Sequence, residues 1–284
     1  MMQNITMLSA EWQTWIRDNL ARGCLPHEMA QKMVQSGIDA QLAQQAIQEA
    51  NTAKTTYATQ TPRLPQTGNL IRTHDRDIRV SMRLSDPVVA VFDNFMSHEE
   101  CDELVQLSRT KLSRSAIVDP VTGLNQIIDA RSSYGTYFSV AETDFIARLD
   151  RRIAEAMHWP IENGEGIQIL HYPVGGEYKA HFDYFPESDP GSAVHLAKGG
   201  QRVSTLVMYL NDVEEGGGTA FPSIHLTVMP KKGSAAYFEY CNNKGQVDPR
   251  SLHSGMPIVR GEKWIATKWM RQGVYGAPWP SDAA

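Results

Sequence analysis

Between residues 8 and 50, apolar positions recur at helical spacing in three short runs. These are Trp12, Trp15, Ile16 and Leu20, then Met29, Met33 and Val34, then Leu42, Ala43, Ala46 and Ile47. The punctuation agrees. Ser9 and Asp39 stand where N-caps are needed, Pro26 opens a first turn, and Gly23 and Gly37 supply stops. This predicts a small helical domain over 1–52, as a separate bundle or as an extension packed on the rest of the chain. The Thr-, Gln- and Pro-rich stretch 53–75 has no apolar periodicity and reads as a linker.

From residue 76 to the end the pattern changes to strands. DIRVSMRL and PVVAVFDNF are rich in β-branched and aromatic residues. Helical spacing returns over 97–112, where Ser97 and Glu100 form a capping-box pair, and again over 141–158. Beyond that, GIQILHY, EYKAHFDYF, RVSTLVMYL, LTVMP, SAAYFEY, SLHSGMPIV and KWIATKWMR follow one another, separated by Gly, Pro and Asn/Asp turns. No long helical pattern intervenes. The expectation for 76–284 is therefore a mainly β domain, an antiparallel sandwich or double-sheet jelly roll with flanking helices.

Composition narrows the classes. With 27 basic and 32 acidic residues the formal charge is −5, and no long basic run appears, so nucleic acid and anionic membrane are not expected partners. No window approaches the roughly 18 consecutive apolar residues of a membrane span, and the first twenty residues lack the layout of a secretory leader. Cys24, Cys101 and Cys241 are too few and too widely spaced for a disulfide framework or a four-Cys zinc site. A reduced, cytoplasmic enzyme is the expectation.

The first chemical signal is His181-Phe182-Asp183. In a strand, residues i and i+2 share a face, so imidazole and carboxylate converge on one point. About 70 residues on, His253 opens SLHSGMPIV. Two nitrogens and one carboxylate oxygen form the facial triad that suits non-haem Fe(II), although a zinc hydrolase can use similar ligands. Next, Val259-Arg260-Gly261-Glu262 reads as a hairpin turn that brings Lys263 towards the metal. There its point charge can hold one end of a small dicarboxylate whose other end chelates the ion, with Tyr172 and Thr205 as further hydroxyl donors. Gly216-Gly217-Gly218 has no following Lys-Ser/Thr and reads as a turn, not a phosphate loop. His171, His195 and His225 lack partner spacing and are left outside the site.

In order and spacing, QILHYPVGGEYKAHFDYF, GGQRVSTLVMYLNDVEEGGGTAFP, MPKKGSAAYFEY and SLHSGMPIVRGEKWIATKWMR resemble the prolyl 4-hydroxylase family of Fe(II)/2-oxoglutarate-dependent dioxygenases. The likeness extends over roughly 76–275 and does not reach the N-terminal helices. It implies a double-stranded β-helix fold, with His181, Asp183 and His253 as iron ligands. It further implies Lys263 on the 2-oxoglutarate C5 carboxylate beside Tyr172 and Thr205, and Tyr178, Arg131, Trp269 and Arg271 on the substrate side. The stretch 113–129 matches the family's loop that closes over peptide.

The implied reaction consumes 2-oxoglutarate and O2, releases succinate and CO2, and hydroxylates a proline in a peptide or protein, at C4, with ascorbate as a candidate accessory reductant. The triad leaves two other readings open: the same oxygenase chemistry on another side chain or small molecule, and a non-catalytic metal-binding jelly roll. The N-terminal helices are a candidate docking module.

Overall fold

The computed structural model describes residues 8–21, 24–52, 64, 68–242 and 245–278. Helices Ala10–Ala21, Pro26–Gln35 and Ala40–Thr52 bury a cluster of their own that includes Ile16, Met29, Met33, Ala43 and Ile47. Pro26 occupies the first turn, and Asp39 Oδ1 accepts from the amides of Gln41 (2.9 Å) and Leu42 (3.0 Å), as an N-cap should. Val34, expected inside, is exposed. Gly23 lies outside the described residues.

The remainder is a double-sheet jelly roll. One antiparallel sheet has nine strands, in the order Leu70–Arg72, Asp77–Ser85, Val88–Asp93, Ala235–Glu239, Arg202–Tyr209, Lys263–Arg271, Ile167–Tyr172, Tyr134–Phe138 and Ser113–Arg114. The first of these pairs inside the stretch read as a linker. A four-stranded sheet, Leu226–Val228, Thr219–Phe221, His253–Gly255 and Tyr178–His181, faces its centre. Aromatic contacts join the two layers, Phe221 to Phe238 (5.0 Å between ring centroids) and His253 to Phe238 (4.7 Å). On the large sheet's other side, helices His98–Arg109 and Asp144–Met157 pack Leu104, Ile146, Leu149 and Ile153 into the same core. Central strands covered on both faces carry continuous apolar runs, which is why RVSTLVMYL and KWIATKWMR lack alternation.

Three local expectations need correction. EYKAHFDYF is not one strand: the ladder stops at His181, and Asp183 sits in the bend beyond it. SLHSGMPIV splits into His253–Gly255 and Ile258–Arg260, because Pro257 has no amide to donate to a ladder. Nor do Ile258–Arg260 and Lys263–Arg271 form a hairpin. The first pairs with Glu215–Gly216 and the second joins the large sheet, so the chain changes layer across Gly261 (φ 86°). The triple glycine is a turn into the strand Thr219–Phe221, with Gly216 and Gly217 both at positive φ.

One buried charge ties the helices to the sheet edge. The Arg152 guanidinium, 1% exposed, donates to Asp75 (2.6 Å), to Glu100 (2.6 and 2.8 Å) and to the Phe95 carbonyl (3.0 Å). Glu100 is also the capping-box acid of the helix that Ser97 opens. Arg152→Ala takes the shared, buried partner from two carboxylates, leaving Glu100 with Arg76 at 3.4 Å and Asp75 with Thr73 at 3.2 Å, and is expected to cost roughly 3 kcal/mol in denaturant unfolding. A loss under about 1 kcal/mol would show that water replaces the guanidinium at no cost.

Candidate metal centre

His181 ends one strand of the small sheet and His253 begins its neighbour, where the two stand directly opposite in register. Asp183 reaches the same point from the bend. One ligand atom from each of the three lies within 4.8 Å of the others, with Asp183 oxygens 3.7 Å from His181 Nε2 and 3.6 Å from His253 Nε2. The imidazoles are aimed by backbone. His181 Nδ1 lies 2.8 Å from the Lys179 carbonyl and His253 Nδ1 lies 2.9 Å from the Ser251 carbonyl. A carbonyl only accepts, so both Nδ1 atoms carry the proton and both Nε2 lone pairs face the carboxylate. Burial, and then the neighbouring His253, press the His181 pKa down to about 3, which keeps it a neutral donor. Burial alone would raise Asp183, but His253, His181, Arg202 and Thr205 together hold it below the ordinary carboxylate range. Two imidazoles and one carboxylate on one side of an open cleft fit Fe(II).

That cleft, of about 910 Å³, opens from the triad along the large sheet. Lys263, Ile265, Thr267 and Trp269, alternate residues of one strand, all line it. Lys263 marks the deep end and Trp269 the mouth, about 20 Å apart at strand rise. Lys263 is 2% exposed and has no hydrogen-bond or ion-pair partner among the described residues. Burial without an anion lowers its pKa to about 8. Tyr172 stands opposite it in the ladder, and the rings of Tyr172 and Tyr209 lie 5.9 and 5.7 Å from Nζ. The Tyr209 hydroxyl donates to Thr219 Oγ1 (2.9 Å) on the facing sheet. A buried cation flanked by two tyrosine rings and lacking an anion among the described residues is a receptacle for a carboxylate.

Thr205 is not part of that receptacle, which corrects its expected place beside Lys263. Its hydroxyl donates to Asp183 Oδ2 (2.7 Å) and, with its hydrogen so used, accepts from Tyr240 (3.0 Å). It holds a ligand and not the co-substrate. Tyr209 and Thr219 take the position foreseen for it. Both escaped sequence reasoning, although Thr205, Val207 and Tyr209 share one strand face and that parity was available.

The substrate-side residues divide. Tyr178 stacks on the His181 ring (3.6 Å between centroids), and the Arg131 guanidinium covers its other side at 4.7 Å. Arg131 is itself buried and fixed by Ser133, Gln168 and the Ala116 carbonyl. Trp269 lies under the Arg202 guanidinium (3.9 Å), which bonds Glu165 and the Asp183 carbonyl (3.2 Å). Arg131, Tyr178, Arg202 and Trp269 all line the cleft. Arg271 does not, contrary to expectation. It has the parity of Trp269, but Glu165 (2.7 Å) and the carbonyls of Gly200 (2.7 Å) and His195 (3.2 Å) capture its guanidinium. Arg202, missed from sequence, takes its place. The stretch 113–129 folds as a hairpin, Ile117–Val118 against Asn125–Gln126, that forms one wall of the cleft.

The chain is similar in sequence to proteins of known family. The sequence profile of the 2OG-Fe(II) oxygenase superfamily matches residues 167–271. A probable prolyl 4-hydroxylase 3 of Arabidopsis thaliana is 37% identical over 209 residues, covering 67% of this chain and 71% of that protein. This chain belongs to the prolyl 4-hydroxylase family. A second Arabidopsis thaliana member, prolyl 4-hydroxylase 1, is 40% identical over 201 residues, 66% of this chain and 69% of its own length. Among solved structures, the 2OG complex of a viral collagen prolyl hydroxylase from Paramecium Bursaria Chlorella virus-1 is 29% identical. It covers 64% of this chain and 95% of that one, with a TM-score of 0.49. The donor set of His181, Asp183 and His253 and the cleft beside it fit the Fe(II), 2-oxoglutarate and O2 of this family.

Two outcomes follow from the site. Thr205→Val removes the donor from Asp183 and is expected to weaken Fe(II) or Co(II) affinity roughly 10–100-fold in equilibrium titration, with the fold unchanged by circular dichroism. Unaltered metal affinity would reduce Thr205 to packing. Lys263 gives a second test. Its folded pKa lies below the unfolded value, so the cost of burying its charge, about 3 kcal/mol, is full below about pH 8 and fades towards ~10.5. Lys263→Met is therefore expected to stabilise the ligand-free protein at pH 7 in denaturant melts. The same change should lower anaerobic 2-oxoglutarate affinity by about two orders of magnitude. In the unsubstituted protein that affinity declines above about pH 8, as the ammonium is lost. A flat profile to pH 9.5 would remove Lys263 from the site.

Proposed function

We propose that this protein hydroxylates prolyl residues, at C4, in a peptide or protein substrate. The carrying observation is the pairing, in one cleft, of a two-histidine, one-carboxylate site with a buried ammonium that has no anionic partner among the described residues. A metal hydrolase has no need of that cation, whereas a dicarboxylate bound by its two ends needs both.

His181, Asp183 and His253 would hold Fe(II), and Lys263 with Tyr172 would receive the C5 carboxylate of 2-oxoglutarate. With these groups bound, the metal supplies the oxidation in which 2-oxoglutarate becomes succinate and CO2, one atom of O2 enters succinate and the other a substrate C–H bond. The chain's own contribution is orientation and exclusion of water. The Lys179 and Ser251 carbonyls fix the imidazole tautomers, and Thr205 fixes Asp183. Tyr178, Arg131, Arg202 and Trp269 shape the mouth where a prolyl ring would rest on aromatic faces. Arg131 and Arg202, held by their own hydrogen bonds, keep those faces from turning.

The free thiols of Cys24, Cys101 and Cys241 favour a reducing, cytoplasmic setting, which cell fractionation would contradict by finding the protein elsewhere. Ascorbate would act as accessory reductant, and unchanged turnover without it would dismiss that role. The helices of residues 1–52, with Leu25 and Val34 exposed, would dock protein substrates. Their deletion should then raise KM for proteins and spare short peptides. The central experiment measures succinate release and peptide mass with Fe(II), 2-oxoglutarate and O2. Peptide-stimulated succinate with a one-oxygen gain on proline is expected, and His181→Ala or Asp183→Ala abolishes both. Peptide-independent succinate without a mass gain would discard prolyl hydroxylation and keep the oxygenase.

A further inference from the structure

Two buried cations line the reaction cleft without a carboxylate of their own among the described residues. Arg131, 6% exposed, donates only to neutral acceptors: Ser133 Oγ (3.2 Å), the Ala116 carbonyl (2.9 Å) and Gln168 Oε1 (3.1 Å). Lys263, 2% exposed, has neither hydrogen bond nor ion pair among the described residues. Both act on Tyr172. Its ring lies 5.9 Å from Lys263 Nζ, and the Arg131 charge is the chief influence opposing the upward push of burial on its hydroxyl pKa. The lysine stem runs beside Gly217, where an added Cβ would stand 3.5 Å from Lys263 Cδ. The adjoining wall is apolar, with Leu170 and Ile265 opposite each other in the same ladder.

An amine so placed is relieved by an anionic ligand or by loss of its charge. Burial lowers its pKa to about 8, so about a tenth is free base at pH 7, and a desolvated neutral amine is a nucleophile. CO2 is the electrophile at hand: it is small and apolar, and the proposed reaction releases it in this cleft. In the reaction between them the amine nitrogen bonds to the carbon of CO2. One C–O π pair moves onto oxygen, and the nitrogen gives up a proton to solvent. The product is a carbamate, formed without oxidant or reductant. Its negative charge exchanges repulsion between two unpaired cations for attraction to Arg131. Thr219 Oγ1, in the same cleft wall, accepts from the Tyr209 hydroxyl (2.9 Å) and keeps its own hydrogen for a new acceptor.

We infer that Lys263 is a reversible modification site for CO2, carbamylated when the cleft holds no 2-oxoglutarate. The carbamate removes the cation on which the dicarboxylate depends, so CO2 competes with the co-substrate. That consequence rests on the proposed role of Lys263, whereas the modification needs only the amine and the cleft.

The test equilibrates the protein, with and without Fe(II) under anaerobic conditions, with isotopically labelled bicarbonate near pH 8. Carbamates are then fixed by O-alkylation with a trialkyloxonium salt, and the peptides are analysed by mass. A labelled adduct at Lys263 is expected, richer than at exposed Lys231 and absent from Lys263→Met. Fe(II) with 2-oxoglutarate should suppress it, and so should lowering the pH to about 6 at matched dissolved CO2. Against a chloride buffer of equal ionic strength, labelled or not, bicarbonate should weaken 2-oxoglutarate binding roughly threefold near pH 8. No adduct at Lys263, or one no richer than at Lys231, overturns the inference. An adduct indifferent to 2-oxoglutarate overturns the competition and the co-substrate role of Lys263 while the modification stands, so the two readings fail separately.

Discussion

The strand Lys263–Arg271 sets the geometry on which everything else depends. It pairs along one edge with Arg202–Tyr209 and along the other with Ile167–Tyr172, and both of its faces are covered. A strand so enclosed cannot slip by one residue without turning every side chain over. Its alternation therefore fixes, in one stroke, a cation at the closed end of the cleft and an aromatic ring at the open end. The stations proposed for co-substrate and substrate would be kept apart because a single ladder spaces Lys263 from Trp269.

The small sheet supplies the complementary half. Its strands are short, and the metal ligands sit where those strands begin or end, so the ligands are not held by ladder pairing alone. Asp183 lies beyond the last paired residue and is positioned from the opposite layer, through Thr205 and, at its carbonyl, Arg202. Register within the small sheet brings His181 and His253 together, and contacts from the large sheet bring Asp183 to them. A buried cluster of Glu165, Arg202 and Arg271 ties the strands' ends together at this place and keeps the mouth from opening.

Much of this was legible in the sequence, and the boundary of legibility has a physical cause. Apolar runs, turn residues and caps marked the helices at 98–109 and 144–157 and most strands of the large sheet, because those signals are local. His181, Asp183 and His253 do converge as the spacing suggested, although Asp183 reaches the point from a bend past the strand end and Lys263 arrives without the expected hairpin. Thr205 was placed in the wrong partnership because its neighbour comes from the facing sheet, and no periodicity along one strand states what lies across the gap. Arg271 was misplaced for a related reason. Parity gives the direction in which a side chain leaves the backbone, but a long guanidinium bends towards the nearest carboxylate, here Glu165, which the sequence left unremarked. The break at Pro257 was readable and was missed, since a strand of nine was assumed where the lack of an amide forbids one.

Each metal-binding histidine takes its orientation from a carbonyl two residues earlier in its own chain, Lys179 for His181 and Ser251 for His253. Aim is thus written twice, independently, in two segments remote in sequence, before either meets the other. When the layers close, the imidazoles need not search for a rotamer or exchange a tautomer, and the entropy of ordering them is already lost to their own turns. A metal entering this site would therefore meet two imidazoles already aimed, without either having to turn.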